Sequence, residues 1–417
     1  MVLSYMRRSP KAVAAVLGVA AVGAVLSVQY PLSARFPLGG DPPTFLYGAR
    51  AMVEPGFLSE GESFSLLSSR YPLAVLFLAA TKILPVSWPE RFIWAMAIAH
   101  LVGVLVFLWG VARLVGYEEG LAGAVFWTAS VGGVNATFND GTLAQLISVP
   151  FFLLVIDAIR RRALVQGVLF TLLTSLTHPF TALFLACLLG TLFLVARRSI
   201  LPSEDGRFIR RLVLPFAGVA LVLVLLHRRL LALTAAGVLG DSTPPTVPEL
   251  LGTNFGLVFL LALVGAPLLV ARFRSDTLLQ SLILALGVWA PVLTFNHRLG
   301  IAIAPERFQI YLGIVAALAA GAALPVLLRA AFPVRAARVL AGILLLAVPA
   351  TGAWGHNARI FAAYEGPRQQ AHMPPAERAG YVWIKEHLPK SAVLVTSSHR
   401  RTAWLSVLGD RRRYRAS

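Results

Sequence analysis

Charge and cysteine are what this sequence has least of. Charged residues make up 13% of its 417 residues, where a soluble domain carries about a quarter. The single cysteine, Cys187, lies inside an apolar run, which excludes a disulfide framework and a cysteine-ligated metal. Acids are scarce as well, 19 Asp and Glu against 37 Lys and Arg. Lysine is nearly absent, confined to Lys11, Lys82, Lys385 and Lys390. There is no nucleotide-binding glycine loop and no serine-hydrolase elbow. The eight histidines are scattered without metal-ligand spacing.

What is abundant is apolar surface. Hydrophobic residues are 57% of the chain and the mean hydropathy is +0.75. Apolar runs of roughly 18 or more residues recur, as in a polytopic all-α membrane protein. A net charge of +18 on a soluble protein would suggest nucleic acid. Here the basic residues sit in short clusters between apolar runs, the pattern of membrane topology and of contact with anionic lipid, so the bilayer and not nucleic acid is the expected partner. Arg7, Arg8 and Lys11 precede a run longer than a cleaved signal core, which reads as an uncleaved first span.

Hydropathy marks eleven spans, near 12–30, 92–112, 120–136, 143–159, 163–177, 179–196, 209–227, 254–271, 277–295, 308–328 and 338–354. The stretch 71–85 is apolar too, but its fourteen or so apolar residues reach only about 21 Å of a hydrocarbon core of about 30 Å. Charge decides its placement. With 71–85 lying along the outer surface and the N-terminus inside, Arg113, Arg160, Arg161, Arg162, Arg197, Arg198, Arg207, Arg210, Arg211, Arg272, Arg274, Arg329, Arg335 and Arg338 all fall in cytoplasmic loops. Making 71–85 a span reverses every one of them, against the positive-inside rule. The expected organisation is a transmembrane domain, 1–354, with a long first outer loop, 31–91, and a short extracytoplasmic C-terminal segment, 355–417. "THPF" becomes a tight outer turn carrying His178 and Pro179.

The unusual sequence therefore collects on the outer side. In the first loop Asp41 stands between Gly39-Gly40 and Pro42-Pro43, before a helix expected from Pro42 to Val53 and a stop at Pro55-Gly56. An acid followed by Pro is an N-cap signature, and a capping carboxylate can keep one oxygen for chemistry; both readings stand. A glycine-flanked acid just after the first span, followed by "PPTFLYGARAMVEPG", resembles the first extracytoplasmic loop of GT-C membrane glycosyltransferases. These include oligosaccharyltransferases, protein mannosyltransferases and aminoarabinose transferases. The resemblance covers most of the chain in architecture and is modest as a motif.

That resemblance implies a general base or metal ligand at Asp41. Glu54 is a weaker second acid, with a solvated helix end as its alternative. The paired Asp-Glu pattern is absent, because Pro42 follows Asp41. Family members take further metal-binding acids from the second outer loop, which puts Asp140 of "TFNDGT" in that place; an Asn-Asp-Gly turn is the plainer reading. A divalent metal, Mg or Mn, is the cofactor so implied. "FNHRLGIAIAPERF" carries His297, Arg298, Glu306 and Arg307. Helix-end anchoring would explain them. So would a clamp for the leaving phosphate of a polyprenyl-phosphate donor, with Arg307 first, Arg298 second, and Arg50 and Arg70 from the first loop sharing the task. His178 reads as a helix-end hydrogen bonder before a catalytic group.

The tail suggests a helix at 376–388, a strand at 392–396 and an amphipathic segment, like the opening of a small α/β extracytoplasmic domain; either the chain is a minimal family member or its C-terminus is incomplete. The function expected is transfer of a sugar from a polyprenyl-phosphate donor to an extracytoplasmic acceptor glycan, lipid or protein hydroxyl, with inversion. The alternatives are a flippase-like transporter, disfavoured by few polar residues at mid-depth, and a non-catalytic assembly subunit.

Overall fold

The computed structural model describes residues 10–34, 37, 42–54, 57, 71–130, 142–226, 256–300, 303–365, 375–389, 392–394, 404–405, 407–409 and 412–413. Helices dominate them. They are α1 (Pro10–Ser33), α2 (Pro42–Val53), α3 (Pro72–Ala80), α4 (Trp88–Leu114), α5 (Tyr117–Thr128), α6 (Leu143–Arg161), α7 (Leu164–Thr177), α8 (Pro179–Arg197), α9 (Ser203–Leu226), α10 (Gly256–Arg272), α11 (Thr277–Thr294), α12 (Gln309–Ala331), α13 (Arg335–Glu365) and α14 (Pro375–His387). Each apolar interval holds one of these helices. Among the described residues, seven are long and apolar enough to cross a membrane: α1, α4, α6, α8, α11, α12 and α13. The chain is thus a multi-pass membrane protein, and length with composition carries seven of the eleven expected crossings. α7 and α10 are shorter apolar helices.

The bundle is centred on α12, 83% of whose most apolar window is buried. Its sequence, "AALAAGAAL", explains why. In lipid, helices associate through close packing, and small side chains let backbones approach. α5 and α10 flank α12 through glycines. A Cβ on Gly265 of α10 would lie 1.8 Å from the Ala319 carbonyl oxygen, and one on Gly321 of α12 would lie 2.5 Å from that of Glu119. α4 joins α1, α5 and α6 around this centre, stacking Phe107 on Trp127 with rings 5.3 Å apart.

Ion pairs define one end of the bundle. Arg272 of α10 meets Glu119 of α5 at 3.2 Å, and Arg329 of α12 meets Glu118 at 3.2 Å. Arg162, in a left-handed conformation past the end of α6, reaches Asp205 of α9 at 2.8 Å and Asp276, the N-cap of α11, at 3.1 Å. The arginine-rich helix ends that hydropathy assigned to one side therefore meet on one side. The ends of the first-loop helices, the α7–α8 turn and the α11–α12 loop meet at the other.

Two titratable groups escape the reading that the spans hold few polar residues. His100, fully buried in α4, sits between Ser27 Oγ at 2.8 Å on Nδ1 and Thr128 Oγ1 at 3.1 Å on Nε2. Asp157, buried in α6, is held by Arg161 at 2.8 Å, Arg160 at 3.1 Å and Arg113 at 3.8 Å. Each polar group has partners from its own or neighbouring helices, which is how such groups are tolerated inside a bundle.

The first loop supplies two buried elements. α2 keeps Pro42, Pro43, Phe45, Leu46, Gly48 and Ala49 from solvent. α3 is shorter than the stretch 71–85, running nine residues before a 3-10 turn, Thr81–Ile83. Its Ala74, Val75 and Leu78 are buried, so it packs into the protein instead of lying only along its surface, while Ile83 is 87% exposed. In the C-terminal segment α14 is followed by two two-residue strands, β1 (Val393–Leu394) and β2 (Arg412–Arg413), paired in parallel. Trp404, Leu405 and Val407 join the main core.

Candidate functional site

The α11–α12 loop is built to hold a fixed shape. Asn296 donates from Nδ2 to the carbonyls of Leu293, at 2.7 Å, and Ile303, at 2.8 Å, and its Oδ1 accepts from Ile303 N at 2.8 Å. One buried amide thus closes the loop on itself. Ala304 then adopts φ +36°, a left-handed conformation costly for any residue with a Cβ and more so before proline. Pro305 opens a 3-10 turn, Pro305–Phe308, carrying Glu306 and Arg307. Gln145 of α6 donates from Nε2 to the Arg307 carbonyl. Strain persists only where surroundings over-determine it, and here they place Arg307 on rigid supports.

Facing this loop is the α7–α8 turn. His178 is the N-cap of α8, with Pro179 at the first helical position; its Nδ1 accepts from Thr181 N at 3.3 Å. Its ring lies against Tyr71, just before α3, with centroids 5.9 Å apart and planes 15° from parallel. Behind it runs a buried hydroxyl chain. Thr181 Oγ1 lies 3.0 Å from Nδ1 and 2.7 Å from Ser148 Oγ, and contacts the Tyr311 hydroxyl; Ser148 donates on to the Gln145 carbonyl at 2.7 Å. Burial first, and the Arg307 charge second, push His178 down to about 3. It is a neutral ring throughout the physiological range.

Arg50 and Glu54 form a second group. They pair at 2.6 Å, Trp88 Nε1 donates to Glu54 Oε1, and Arg50 donates to the Val407 carbonyl and lies 4.3 Å from the Phe57 ring centre. This links α2, the start of α4 and the C-terminal segment. Lys82 Nζ closes the same region by donating to the Val53 carbonyl at 2.6 Å.

Of the residues singled out in the sequence, Asp41, Asp140 and Arg70 lie outside the described residues. Arg307 and His178 are brought together. Glu306 Oε1 is 3.8 Å from Arg307 Nε; its Oε2, and Nδ1 of His297, are buried without a hydrogen-bond partner among the described residues. Arg298 is exposed. Sequence reasoning missed Tyr71, Ser148, Thr181, Asn296 and Tyr311. Thr181 had a signal, three residues after a His-Pro helix start, where an N-cap acceptor finds its donor. Among the described residues no three His, Cys, Asp or Glu side chains converge as metal ligands.

No protein-family model and no curated protein sequence matches this chain. Its fold does have solved relatives. The chain is similar over 95% of its length to the oligosaccharyltransferase AglB from Archaeoglobus fulgidus in complex with an inhibitory peptide and a dolichol-phosphate, at TM-score 0.63 and 14% identity, spanning 64% of that protein. It is similar to the same enzyme in complex with zinc and sulfate at TM-score 0.62 and 14% identity, over 95% of this chain and 62% of the other. The third relative is ArnT from Cupriavidus metallidurans bound to undecaprenyl phosphate, at TM-score 0.59 and 16% identity, over 97% of this chain and 86% of that one. These relatives are GT-C glycosyltransferases, and the chain has their fold.

Proposed function

We propose that the protein is an integral-membrane glycosyltransferase of the GT-C type, moving a sugar from a polyprenyl-phosphate donor to an acceptor hydroxyl on the extracytoplasmic side. The arginine-lined end of the bundle lies in the cytoplasm by the positive-inside rule, with the N-terminus. The first loop, the α11–α12 loop and the C-terminal segment lie outside. The acceptor is a glycan, lipid or protein.

One observation carries this reading. Phe45, one turn into the helix that starts directly after Asp41, lies 5.2 Å from the Tyr71 ring; Tyr71 lies on His178; and His178 meets Phe180, which packs against Phe308, the residue after Arg307, with ring centres 5.9 Å apart. The helix that follows the first-loop acid and the turn carrying the late-loop arginine thus belong to one packed cluster at one end of the bundle. In the mechanism Asp41 takes the proton of the acceptor hydroxyl. The hydroxyl oxygen attacks the anomeric carbon, the bond from that carbon to the phosphate oxygen breaks, and Arg307 stabilises the charge left on the phosphate. A single displacement inverts the anomeric centre. Asp41 and Asp140, the acids the family resemblance offers to a metal, lie outside the described residues, and no step is routed through a metal.

The test is Asp41→Asn, scored by sugar transfer to a membrane acceptor alongside the amount of protein in the membrane. Transfer should fall to background with protein level unchanged. Transfer at the unaltered rate would remove Asp41 from the chemistry.

A further inference from the structure

His178 does more than cap a helix. A backbone N–H can only donate, so the bond from Thr181 N requires a bare lone pair on Nδ1, and the neutral ring keeps its proton on Nε2. Nδ1 also lies 3.0 Å from Thr181 Oγ1, which completes its surroundings. The ring is 2% exposed, stacked on Tyr71 and 5.6 Å from Phe180. Among the described residues nothing accepts from Nε2–H. Nε2 is not among the enclosed side-chain atoms that lack a partner, so its N–H keeps an open side on which a ligand oxygen can be bound.

Arg307 sets the chemistry of that ligand. Phe308, the residue after Arg307, packs edge-on against Phe180 with 5.9 Å between ring centres, and Phe180 lies 5.6 Å from the His178 ring; the Arg307 backbone is fixed by Gln145 and by the strained Ala304–Pro305 turn. A fixed neutral N–H near an arginine whose backbone is fixed suits an anion with several oxygens on one centre. A phosphate offers one oxygen to each donor. His178 is unsuited to take a proton, because the lone pair it would use is committed to the backbone of α8.

We propose that His178 Nε2–H, beside Arg307, binds a phosphate oxygen of the polyprenyl-phosphate donor, an assignment that rests on the transferase reading above. As a neutral donor it adds orientation without adding charge. The hydroxyl chain through Thr181, Ser148 and Tyr311 holds the ring in the tautomer that makes this possible.

Two substitutions separate donor from cap. His178→Asn places an amide oxygen where Nδ1 caps α8 but has nothing at the reach of Nε2. His178→Gln carries an N–H to that reach and gives up the cap. Binding of farnesyl phosphate, and of farnesol as the tail without the phosphate, is measured on the purified full chain in detergent, with the melting temperature recorded for each variant. His178→Asn should weaken farnesyl phosphate about tenfold or more, as for the loss of one hydrogen bond to a charged group, with farnesol binding and melting temperature unchanged. His178→Gln should lower the melting temperature and retain most of the phosphate affinity. The proposal is overturned if His178→Asn binds farnesyl phosphate like the unaltered protein while Arg307→Ala does not. Failure of the unaltered protein to prefer farnesyl phosphate over farnesol overturns the transferase reading and this assignment together.

Discussion

Tyr71 and His178 lie face to face, 5.9 Å between ring centres, although one belongs to the first loop and the other caps α8. Their contact fixes the first loop against the site, since Tyr71 also packs on Phe45 of α2 and Phe45 on Phe92 of α4 at 6.0 Å. An aromatic pair of this kind contributes about 1 kcal/mol beyond its buried area. Tyr71→Leu keeps apolar bulk and loses the stack. The protein should remain in the membrane with a modestly lower melting temperature, while sugar transfer falls several-fold. Tyr71→Phe, which keeps the ring, should retain more transfer than Tyr71→Leu; equal rates for the two would show that the stack does not position the loop.

Arg50 makes a separate prediction. Its guanidinium joins Glu54, the Val407 carbonyl and the Phe57 face, and its side chain is 12% exposed. Arg50→Ala removes a charged donor from a buried carbonyl, a loss of about 1.5–3 kcal/mol. That loss falls on the docking of the C-terminal segment. Limited proteolysis should release fragments from the region after residue 394 faster than in the unaltered protein, with cleavage in the arginine-lined loops unchanged. If cleavage does not accelerate, Val407 is held by its burial alone.

How much of this was legible follows the length scale of each interaction. The helices were, because their signals are local: an apolar run, an Asp-Pro start, a Pro-Gly stop. The bounds Pro42–Val53 come from such punctuation alone. That Arg162, Arg272 and Arg329 would find their acids at one end of the bundle follows from parity along the chain as well. The partners were not. Arg50 and Glu54 stand four residues apart, a spacing that announces a pair, yet the contact that gives the pair its place lies 357 residues away at Val407. His100 reads as one polar residue in an apolar run until α1 brings Ser27 to it from 73 residues away. Thr181 and Tyr311 look mild in sequence and become a network only when α8 and α12 meet.

Gly265 tests how tightly the bundle is packed. In an exposed helix Gly→Ala gains about 1 kcal/mol of helix propensity. At Gly265 the added carbon would meet the Ala319 carbonyl at 1.8 Å, and backbone cannot swing aside as a flexible side chain would. α10 and α12 would have to separate, at a cost of about 1–3 kcal/mol. Gly265→Ala should therefore lower the melting temperature in detergent. Gly287→Ala on α11, with nothing within 4 Å of the new carbon, should leave it unchanged or raise it. A stabilised Gly265→Ala would mean that the two helices do not touch there.

Acid should destabilise the protein through His178. An exposed histidine in the unfolded chain takes up its proton near pH 6.5. The folded one resists until about 3, because burial and then the charge of Arg307 disfavour the imidazolium. Between those values the unfolded state binds more protons, so stability rises with pH across the window. The contribution is complete above about pH 6.5 and is lost as pH falls towards 3. Among the described residues the groups around the ring are Arg307, which stays charged throughout and has Glu306 3.8 Å away, and the neutral side chains of Tyr71, Phe180 and Thr181. Lowering the pH from 7 to 5 should reduce the melting temperature of the unaltered protein more than that of His178→Asn, whose amide keeps the cap and has no proton to gain. The other histidines are common to both proteins and cancel in the comparison. Parallel curves for the two would show that His178 carries its proton in the fold, and that Nδ1 does not accept from the backbone of α8.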